Sequence, residues 1–540
     1  MKPILEVGTI MGLSPDAIIP YGPDKAKISL DAIREDEPRG KLVVVTGMTP
    51  TPAGEGKTTT TIGLTQALGH IGKRPVATLR EPSLGPVFGI KGGGTGGGAS
   101  RVIPEDEINL HFTGDAHAIG SAHNLLAALT DNAVQRDAIS DMHPQDVTWR
   151  RVTHVGDRAL RSIATGLGGS ANAPVRDTGF DIVAASEIMA ILALATDLDD
   201  LRCRLEQIVV GFQSNGNPIT ATDIGAVGSM MSLLRYAIQP NLVQTVEGQP
   251  VLIHTGPFAN IAHGCSSVIA DRLALGYADY VLTEAGFGAD LGFEKFMHIK
   301  ARSNGLLPSA AVLVATVRAL RSHGGTTNDQ LDYPDPLAVE RGLTNLAQQI
   351  AIVQAFGVPV IVTINRFPND TQTEIAMTKE SAEAAGAHAV VESHTFTDGG
   401  AGAVDLAKVL LDVTTGTAPK IKYLYSENST IEEKVKALAL QLYGANDVHW
   451  DAPARRRLNE FRKHGWDRLP TCMAKTPLSL SHDPSLRGRP TGYTFEISDL
   501  RASIGAGFTY PIAGTMMTLP GLPTTPRSLD VDDAGNIVGL

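Results

Sequence analysis

The fold is decided by the stretch KLVVVTGMTPTPAGEGKTTTTIGL, residues 41–64. Its Val-rich beginning predicts a buried strand over residues 41–45. The Pro and Gly residues that follow predict a tight loop, and a helix is expected from about Lys57 to Gly72. A strand, a glycine-containing loop and a helix in this order are typical of an α/β protein with a mostly parallel sheet.

The same alternation of short β-branched runs and longer helical stretches continues along the chain. Further strands are predicted at residues 75–79, 251–254, 280–283, 310–317 and 359–364. Helices are predicted at residues 116–132 and 335–357. The fold class is therefore predicted to be α/β, with a large P-loop-containing parallel-sheet domain and two smaller units, one α/β and one α+β.

Chain length sets the expected number of domains. A chain of 540 residues exceeds the size at which a single hydrophobic core stops growing, so several structural units are expected. We place a large nucleotide-binding α/β domain at residues 1–345, a second α/β domain at 346–450 and a smaller irregular C-terminal domain at 451–540. The last unit is predicted because the sequence becomes rich in Pro, Gly, Ser and Thr from about residue 470.

The loop after the first strand of this stretch has the composition of a phosphate-binding loop. It comprises Thr51, Pro52, Ala53, Gly54, Glu55, Gly56, Lys57 and Thr58. Glycines let backbone N–H groups point at phosphate oxygens, and the following helix contributes its positive end. In such a loop Lys57 reaches the β- and γ-phosphates and Thr58 offers its hydroxyl to Mg²⁺. Thr51 occupies the position of the usual first glycine, so a glycine-rich turn that merely begins a helix is the alternative.

A second candidate loop follows the strand predicted at residues 75–79. Arg80 and Glu81 lie at the carboxyl end of that strand, where parallel sheets bind their ligands. An arginine grips a carboxylate or phosphate with its planar fork, and Asp115 further along is a possible ligand for a cation. The alternatives are that Arg80 and Glu81 are solvated loop charges and that Asp115 caps a helix.

Composition excludes several classes of function. The chain has 46 basic and 57 acidic residues and a net charge of -11, whereas nucleic-acid-binding proteins normally carry a basic surface. Its three cysteines have neither metal-ligand nor disulfide spacing, which indicates a reducing compartment. We find no signal peptide and no segment long enough to cross a membrane, so a cytoplasmic protein without membrane or nucleic-acid partners is predicted.

Further motifs, taken with these loops, resemble the formate–tetrahydrofolate ligase family. They run through nearly the whole chain in one order: TPAGEGKTTTTIGL, REPSLGPVFGIKGGG, INLHFTGD, HTGPFANIAHG, TEAGFGADLGFEKF, VATVRALRSHGG, TINRFPND and GFTYPIAGTMMTLPGLPTTP. The chain length is similar to that of the monofunctional form. A set of motifs this dense is far more specific than the first loop alone.

The resemblance implies a reaction in two steps. ATP phosphorylates formate to formyl phosphate, and N10 of tetrahydrofolate then attacks the formyl carbon and expels phosphate. Lys57 and Arg80 are the implied catalytic residues, with Arg80 matching the arginine that holds formyl phosphate. Thr58, Glu81 and Asp115 match residues near the cations.

The resemblance also implies the cofactors and partners. MgATP is a substrate, Mg²⁺ is required, and a monovalent cation such as K⁺ or NH₄⁺ activates. The folate is expected to be polyglutamylated and the assembly to be a homotetramer. Formate would bind in the 1–345 domain, and residues 346–450 would contribute to the folate site.

Two aromatic residues are the candidates for holding the folate. The family stacks the pterin between aromatic rings, and Phe367 in NRFPND matches one of them. The other is a tryptophan in some members, and Phe396 in HTFTDGGAG is the nearest aromatic in this chain. Ordinary core packing is the alternative for both side chains.

Two other functions are compatible with parts of the sequence. A dimeric P-loop ATPase of the switch or partitioning kind has a similar loop but no evident use for the Arg80–Glu81 loop or the tail. A folate-binding or scaffold protein with a degenerate loop is the second alternative. It is not favoured, because Lys57 and Thr58 are both present.

Overall fold

The computed structural model describes residues 1–34, 40–52, 54–89, 93–169 and 171–539. A twelve-stranded sheet lies at its centre. In chain order its strands are β1 (Ile18–Pro20), β2 (Ala26–Ile28), β3 (Lys41–Gly47), β4 (Pro75–Leu79), β5 (Gly96–Gly97), β6 (Ser100–Ile103), β7 (Asn241–Thr245), β8 (Pro250–Ile253), β9 (Tyr280–Glu284), β10 (Ala310–Ala315), β11 (Val360–Asn365) and β12 (Ala389–Ser393).

The sheet is mainly parallel. Its main order is β1-β2-β7-β8-β4-β9-β3-β10-β11-β12, and β5 and β6 are attached beside β7. All pairs from β8 to β12 in this order are parallel, whereas β1, β2, β6 and β7 form antiparallel pairs at the other edge. The predicted mixed α/β class with a large parallel sheet is confirmed, and β11 and β12, which come from residues 346–450, continue this same sheet.

Strand β3 shows why the sheet is buried on both faces. Val43 and Val45 pack in one hydrophobic cluster with Leu64 of the following helix, whereas Leu42 and Val44 belong to the larger core on the opposite face. Successive side chains of a strand point to opposite faces, so a continuous apolar run needs cover on both sides. Full burial of one such side chain contributes roughly 1.5–3 kcal/mol.

Helices supply this cover. The main α-helices are Ile4–Met11, Lys57–His70, Asp115–Gln135, Glu187–Leu194, Leu198–Glu206, Val227–Leu234, Val268–Leu275, Val317–His323, Pro336–Ala355, Gln372–Ala384, Val404–Thr414, Ile431–Gln441 and Ala452–Lys463. Helix 336–355 ends two residues before Gly357, which has a positive φ of 75° and so stops the helix as its position in the sequence predicts. No helix in the described ranges is both long enough and apolar enough to cross a membrane.

The C-terminal part is built from short elements. Strand Asp447–Trp450 pairs with Thr494–Ile497, and Asp499–Ser503 forms a hairpin with Phe508–Ile512. A buried ion pair joins this part to the main body, because Lys475 Nζ lies 2.7 Å from Asp290 Oδ2.

Candidate functional site

Several loops that follow parallel strands meet at one edge of the sheet. The 51–58 loop follows β3, Arg80 follows β4, and Glu284 is the last residue of β9. Strand β9 lies between β3 and β4, with Glu284 opposite Val45 of β3. The carboxyl edge of a parallel sheet is where ligands of α/β proteins bind. Strand order therefore brings together residues that are far apart in the sequence.

Glu55 holds the 51–58 loop from the inside. Its carboxylate is 2% exposed and accepts hydrogen bonds from Thr51 N at 2.7 Å and Thr51 Oγ1 at 2.9 Å. Its other oxygen accepts a hydrogen bond from Thr316 Oγ1, just after β10. Threonine at position 51 thus contributes a hydroxyl donor that a glycine lacks. The departure from the usual loop pattern has a structural role.

Two glycines of the same loop have a left-handed backbone conformation. Gly54 and Gly56 have positive φ values of 80° and 73°, a region that favours glycine. Gly56 is the N-cap of helix Lys57–His70, and Pro52, Gly54 and Gly56 are exposed. Ala53 lies outside the described residues. The first N–H groups of the helix, which have no partner within a helix, thus lie next to an exposed glycine.

Asn365 ties the loop to β11. Its Nδ2 donates to the carbonyl oxygen of Glu55 at 3.0 Å, and its Oδ1 accepts from Thr60 Oγ1 at 3.1 Å. A Cβ at Gly56 would lie 2.9 Å from Asn365 Nδ2, so this contact also requires glycine. The motif TINRFPND thereby supports the loop and positions the residues that follow Asn365.

Glu284 joins two of the predicted site residues. Thr58 Oγ1 donates to Glu284 Oε2 at 2.8 Å, and Arg80 Nε donates to Glu284 Oε1 at 3.3 Å. The Glu284 side chain is 6% exposed and that of Arg80 is 29% exposed. Arg80 is therefore held in a defined position while part of its guanidinium remains accessible. The alternative that Arg80 is a solvated loop charge does not describe this arrangement.

Lys57 lies beside the same carboxylate. The end of β3 makes room for its stem, since a Cβ at Gly47 would be 3.4 Å from Lys57 Cδ. Burial lowers the pKa of Lys57, while the charges of Glu55 and Glu284 raise it. Lys57, Thr58 and Arg80 thus converge on one small region, with Glu284 at its centre.

Gly286 and the buried His263 lie near Arg80. A Cβ at Gly286 would lie 3.4 Å from Arg80 Nη1, so the guanidinium packs over glycine. His263 is fully buried, and neither of its ring nitrogens has a hydrogen-bond partner among the described residues. Burial, followed by the charges of Lys300 and Lys295, lowers the pKa of His263 well below its usual value. The imidazole of His263 is therefore expected to be neutral and to lie near the Arg80 guanidinium.

Glu81 lies close enough to Asp115 for their charges to interact. Burial and the charge of Asp115 raise the pKa of Glu81 well above its usual value. Asp115 Oδ1 lies 2.8 Å from Lys27 Nζ, and Asn241 Nδ2 donates to Asp115 Oδ2 at 2.8 Å. Asp115 is the first residue of its helix rather than the N-cap, which is Gly114.

The two predicted folate aromatics remain accessible. Phe367 is 43% exposed and lines a cavity of about 220 Å³ with Arg318 and Arg321. Phe396 is 62% exposed, and its ring packs against the glycine run, 3.2 Å from the position of a Cβ on Gly97. Core packing is therefore not the role of either ring. Both follow neighbouring strands, β11 and β12, at the ligand edge of the sheet.

The donors at this edge fit Mg²⁺ that arrives bound to a nucleotide. In the described ranges, no cluster of three or more His, Cys, Asp or Glu side chains has the arrangement of a metal site. Mg²⁺ usually takes one or two protein oxygens and completes its shell with phosphate and water. The Thr58 hydroxyl and the Glu284 carboxylate are hard oxygen donors of this kind. Glu81 Oε2 is a buried oxygen without a hydrogen-bond partner among the described residues and fits a second cation.

Sequence reasoning missed three contributors. Glu284, Asn365 and Thr316 lie in the motifs TEAGFGADLGFEKF, TINRFPND and VATVRALRSHGG, but the sequence alone gives none of them a role in the site. All three lie at the carboxyl ends of strands. Glu284 ends β9 and Thr316 follows β10, which both neighbour β3, and Asn365 ends β11, which neighbours β10. All three stand in motifs of the sequence and are polar residues at the end of a buried apolar run, but neither signal shows which residue each of them contacts.

The sequence matches the family model described as "Formate--tetrahydrofolate ligase" over residues 1–540. The chain belongs to the formate–tetrahydrofolate ligase family. A relative named formate–tetrahydrofolate ligase from Roseiflexus sp. (strain RS-1) is 52% identical over 552 residues, which cover 100% of this chain and 98% of the relative. Similar ligases from Desulforamulus reducens and Granulibacter bethesdensis are 49% and 51% identical, with 97% and 95% of their lengths covered. This whole-length match to the ligase family does not favour the switch ATPase or the scaffold protein.

Proposed function

We propose that this chain joins formate to tetrahydrofolate at the expense of ATP, giving 10-formyltetrahydrofolate, ADP and phosphate. The observation that carries the proposal is the convergence of Lys57, Thr58 and Arg80 around Glu284 at the ligand edge of the sheet. Membership of the ligase family supplies the substrates.

The first step is transfer of the γ-phosphoryl group to formate. The 51–58 loop acts as the P-loop, and the start of helix 57–70 receives the phosphates of ATP. Phosphoryl transfer depends mainly on positioning and on neutralising the charge of the transferring group. Lys57 supplies one positive charge and Arg80 a second, planar one that also suits the formate carboxylate. Formyl phosphate is the product of this step.

The second step is attack of N10 of tetrahydrofolate on the formyl carbon, which expels phosphate. Arg80 remains the group that holds the phosphate as negative charge develops on the leaving oxygen. Phe367 and Phe396 present accessible ring faces on which a pterin can stack. The cavity beside Phe367 is lined by both basic and acidic side chains, among them Arg318 and Asp332, whose charged groups lie 3.7 Å apart.

Two cations belong to the proposal. Thr58 would be a ligand of the Mg²⁺ that binds with ATP, and this ion would neutralise phosphate charge. A monovalent cation such as K⁺ or NH₄⁺ is assigned to Glu81 and Asp115. The unpartnered Oε2 of Glu81 supports this assignment, so Glu81 is the main proposed ligand, whereas the charge of Asp115 is already balanced by Lys27.

The remaining parts of the proposal concern the protein as a whole. We propose three domains at residues 1–345, 346–450 and 451–540, with the folate site between the first two. A homotetramer, a cytoplasmic location and a polyglutamylated folate are proposed from family membership, and the three free cysteines support a reducing compartment.

An omission assay tests the proposed function. The purified chain is incubated with MgATP, formate and tetrahydrofolate, each is left out in turn, and product is measured after acid conversion to the methenyl form. Product is expected only with all three substrates, and it should be lost in Lys57→Ala and Arg80→Ala. Arg74→Ala is the matched control, because Arg74 precedes β4, is exposed and pairs with Asp279. ATP turnover that ignores formate and folate would overturn the proposal.

A further inference from the structure

Glu284 contacts both the nucleotide end and the formate end of the proposed site. Its Oε2 accepts from Thr58 Oγ1 at 2.8 Å and its Oε1 accepts from Arg80 Nε at 3.3 Å. The side chain is 6% exposed, so bulk water competes little for these two contacts. Neither the family name nor the sequence motifs assign it a role.

The direction of the first hydrogen bond has a chemical consequence. A threonine hydroxyl that donates its proton to a carboxylate keeps its lone pairs free on the other side. Thr58 is the first-turn residue of helix 57–70, so those lone pairs are available to a metal ion that arrives with the phosphates. Carboxylates that accept a hydrogen bond from a metal ligand orient it and increase its basicity.

The second contact fixes the arginine. A carboxylate has no proton to donate and can accept from Thr58 and Arg80 at the same time. A side-chain amide at this position has one accepting atom and one donating atom, so it can accept from only one of them. The site therefore requires an acid rather than a polar side chain of similar shape.

We propose that Glu284 is a positioning residue. It orients the Thr58 hydroxyl towards the Mg²⁺ of the nucleotide, and it holds Arg80 in place to bind the formate carboxylate. The inference rests on the proposed function, since it assumes that MgATP binds at the 51–58 loop. The binding of the nucleotide and the binding of formate in the first step would then both depend on Glu284.

The negative charge of Glu284 makes its role testable by nucleotide binding with and without metal. Glu284 carries a negative charge next to the place where phosphates bind, which opposes binding of ADP without metal. Glu284→Gln removes that charge, so metal-free ADP is expected to bind as tightly as in the wild type or more tightly. MgADP is expected to bind at least tenfold more weakly, because the Thr58 hydroxyl is no longer oriented. A general structural defect would instead weaken both forms.

The measurement is the dissociation constant of ADP with Mg²⁺ and with EDTA, by calorimetry, for wild type, Glu284→Gln and Glu284→Asp. Glu284→Asp keeps two accepting oxygens and is expected to retain part of the Mg²⁺ advantage, and it also serves if Glu284→Gln does not fold. Glu247→Gln is the matched control, because Glu247 pairs with His70 at the far end of the same helix. It is expected to leave the Mg²⁺ advantage unchanged.

The outcomes separate this inference from the proposed function. An unchanged Mg²⁺ advantage in Glu284→Gln, or equal weakening of ADP and MgADP, would overturn the role of Glu284 while leaving the ligase intact. A wild-type chain that binds no MgADP would overturn the proposed function itself. The formate KM gives a second readout, expected to rise in Glu284→Gln because Arg80 loses its partner.

Discussion

Removing the Glu55 carboxylate is the most informative perturbation of the 51–58 loop. Glu55→Ala leaves three donors without their acceptor: Thr51 N, Thr51 Oγ1 and Thr316 Oγ1. Each hydrogen bond to a charged group contributes roughly 1.5–3 kcal/mol, and a buried group left unpaired costs about 1–3 kcal/mol. Water can reach the exposed side of the loop at Gly54, so we take about 1 kcal/mol per donor. The expected total is about 3 kcal/mol.

This free energy should appear in nucleotide binding rather than in global stability, because the loop must be ordered when phosphates bind. A loss of about 3 kcal/mol corresponds to a roughly hundredfold weaker affinity for MgADP. Glu55→Gln can keep the two contacts to Thr51 through its amide oxygen, so a loss of about tenfold or less is expected.

The assay is calorimetric titration with MgADP alongside thermal denaturation of each variant. Glu433→Ala is the matched control, because the Glu433 carboxylate also accepts a hydrogen bond from a threonine. The donor is the backbone N–H of Thr430, in the capping box of helix 431–441 far along the chain. MgADP affinity equal to wild type in Glu55→Ala would refute the reasoning. An equal loss in Glu55→Gln would assign the effect to charge instead of hydrogen bonding.

Three further predictions concern other parts of the molecule. Burial lowers the pKa of His254 to about 4, so as the pH falls the unfolded chain binds this proton before the folded chain does. The contribution of this group to the free energy of unfolding, about 3 kcal/mol, is therefore complete above pH 6.5 and lost towards pH 4. Urea denaturation between pH 4 and pH 6.5 should show a flatter pH dependence of the free energy of unfolding in His254→Gln, and an unchanged dependence would contradict this. Lys475→Met leaves the buried carboxylate of Asp290 unpaired and should lower the free energy of unfolding by about 3–5 kcal/mol, with a loss below 1 kcal/mol as the contrary result. Gly256→Ala would place a Cβ 2.1 Å from the carbonyl oxygen of Glu81, so formate-dependent activity should fall more than tenfold, whereas unchanged kinetics would show that this turn can move.

The elements of the sheet were predictable because their signal is local. The strand at residues 75–79 was predicted with its observed bounds, and the helix expected from about Lys57 begins at that residue. Val-rich runs of this length are usually buried, and a glycine in the left-handed region commonly follows the end of a helix. Domain boundaries have no comparable local signal, and strands from residues 346–450 join the sheet formed by earlier strands.

The candidate site was predictable only in part, for the same reason. Lys57, Thr58 and Arg80 were identified because each stands in a motif next to a strand. The partner of Thr58 lies 226 residues away, at Glu284, and only the strand order brings the two together. Asp115 was expected as a cation ligand or a helix cap, and its pairing with Lys27 depends on a contact across 88 residues. Such contacts follow from the register of the sheet, which no single motif encodes.

Transfer of an oxygen isotope tests the central claim most directly. Formate labelled with ¹⁸O is supplied with MgATP and tetrahydrofolate, and the phosphate released is analysed by mass spectrometry. If formate attacks the γ-phosphorus and N10 then attacks the formyl carbon, one formate oxygen leaves with phosphate, so each phosphate should carry one ¹⁸O and the label should vanish with activity in Arg80→Ala. Phosphate without ¹⁸O, formed together with 10-formyltetrahydrofolate, would contradict the account.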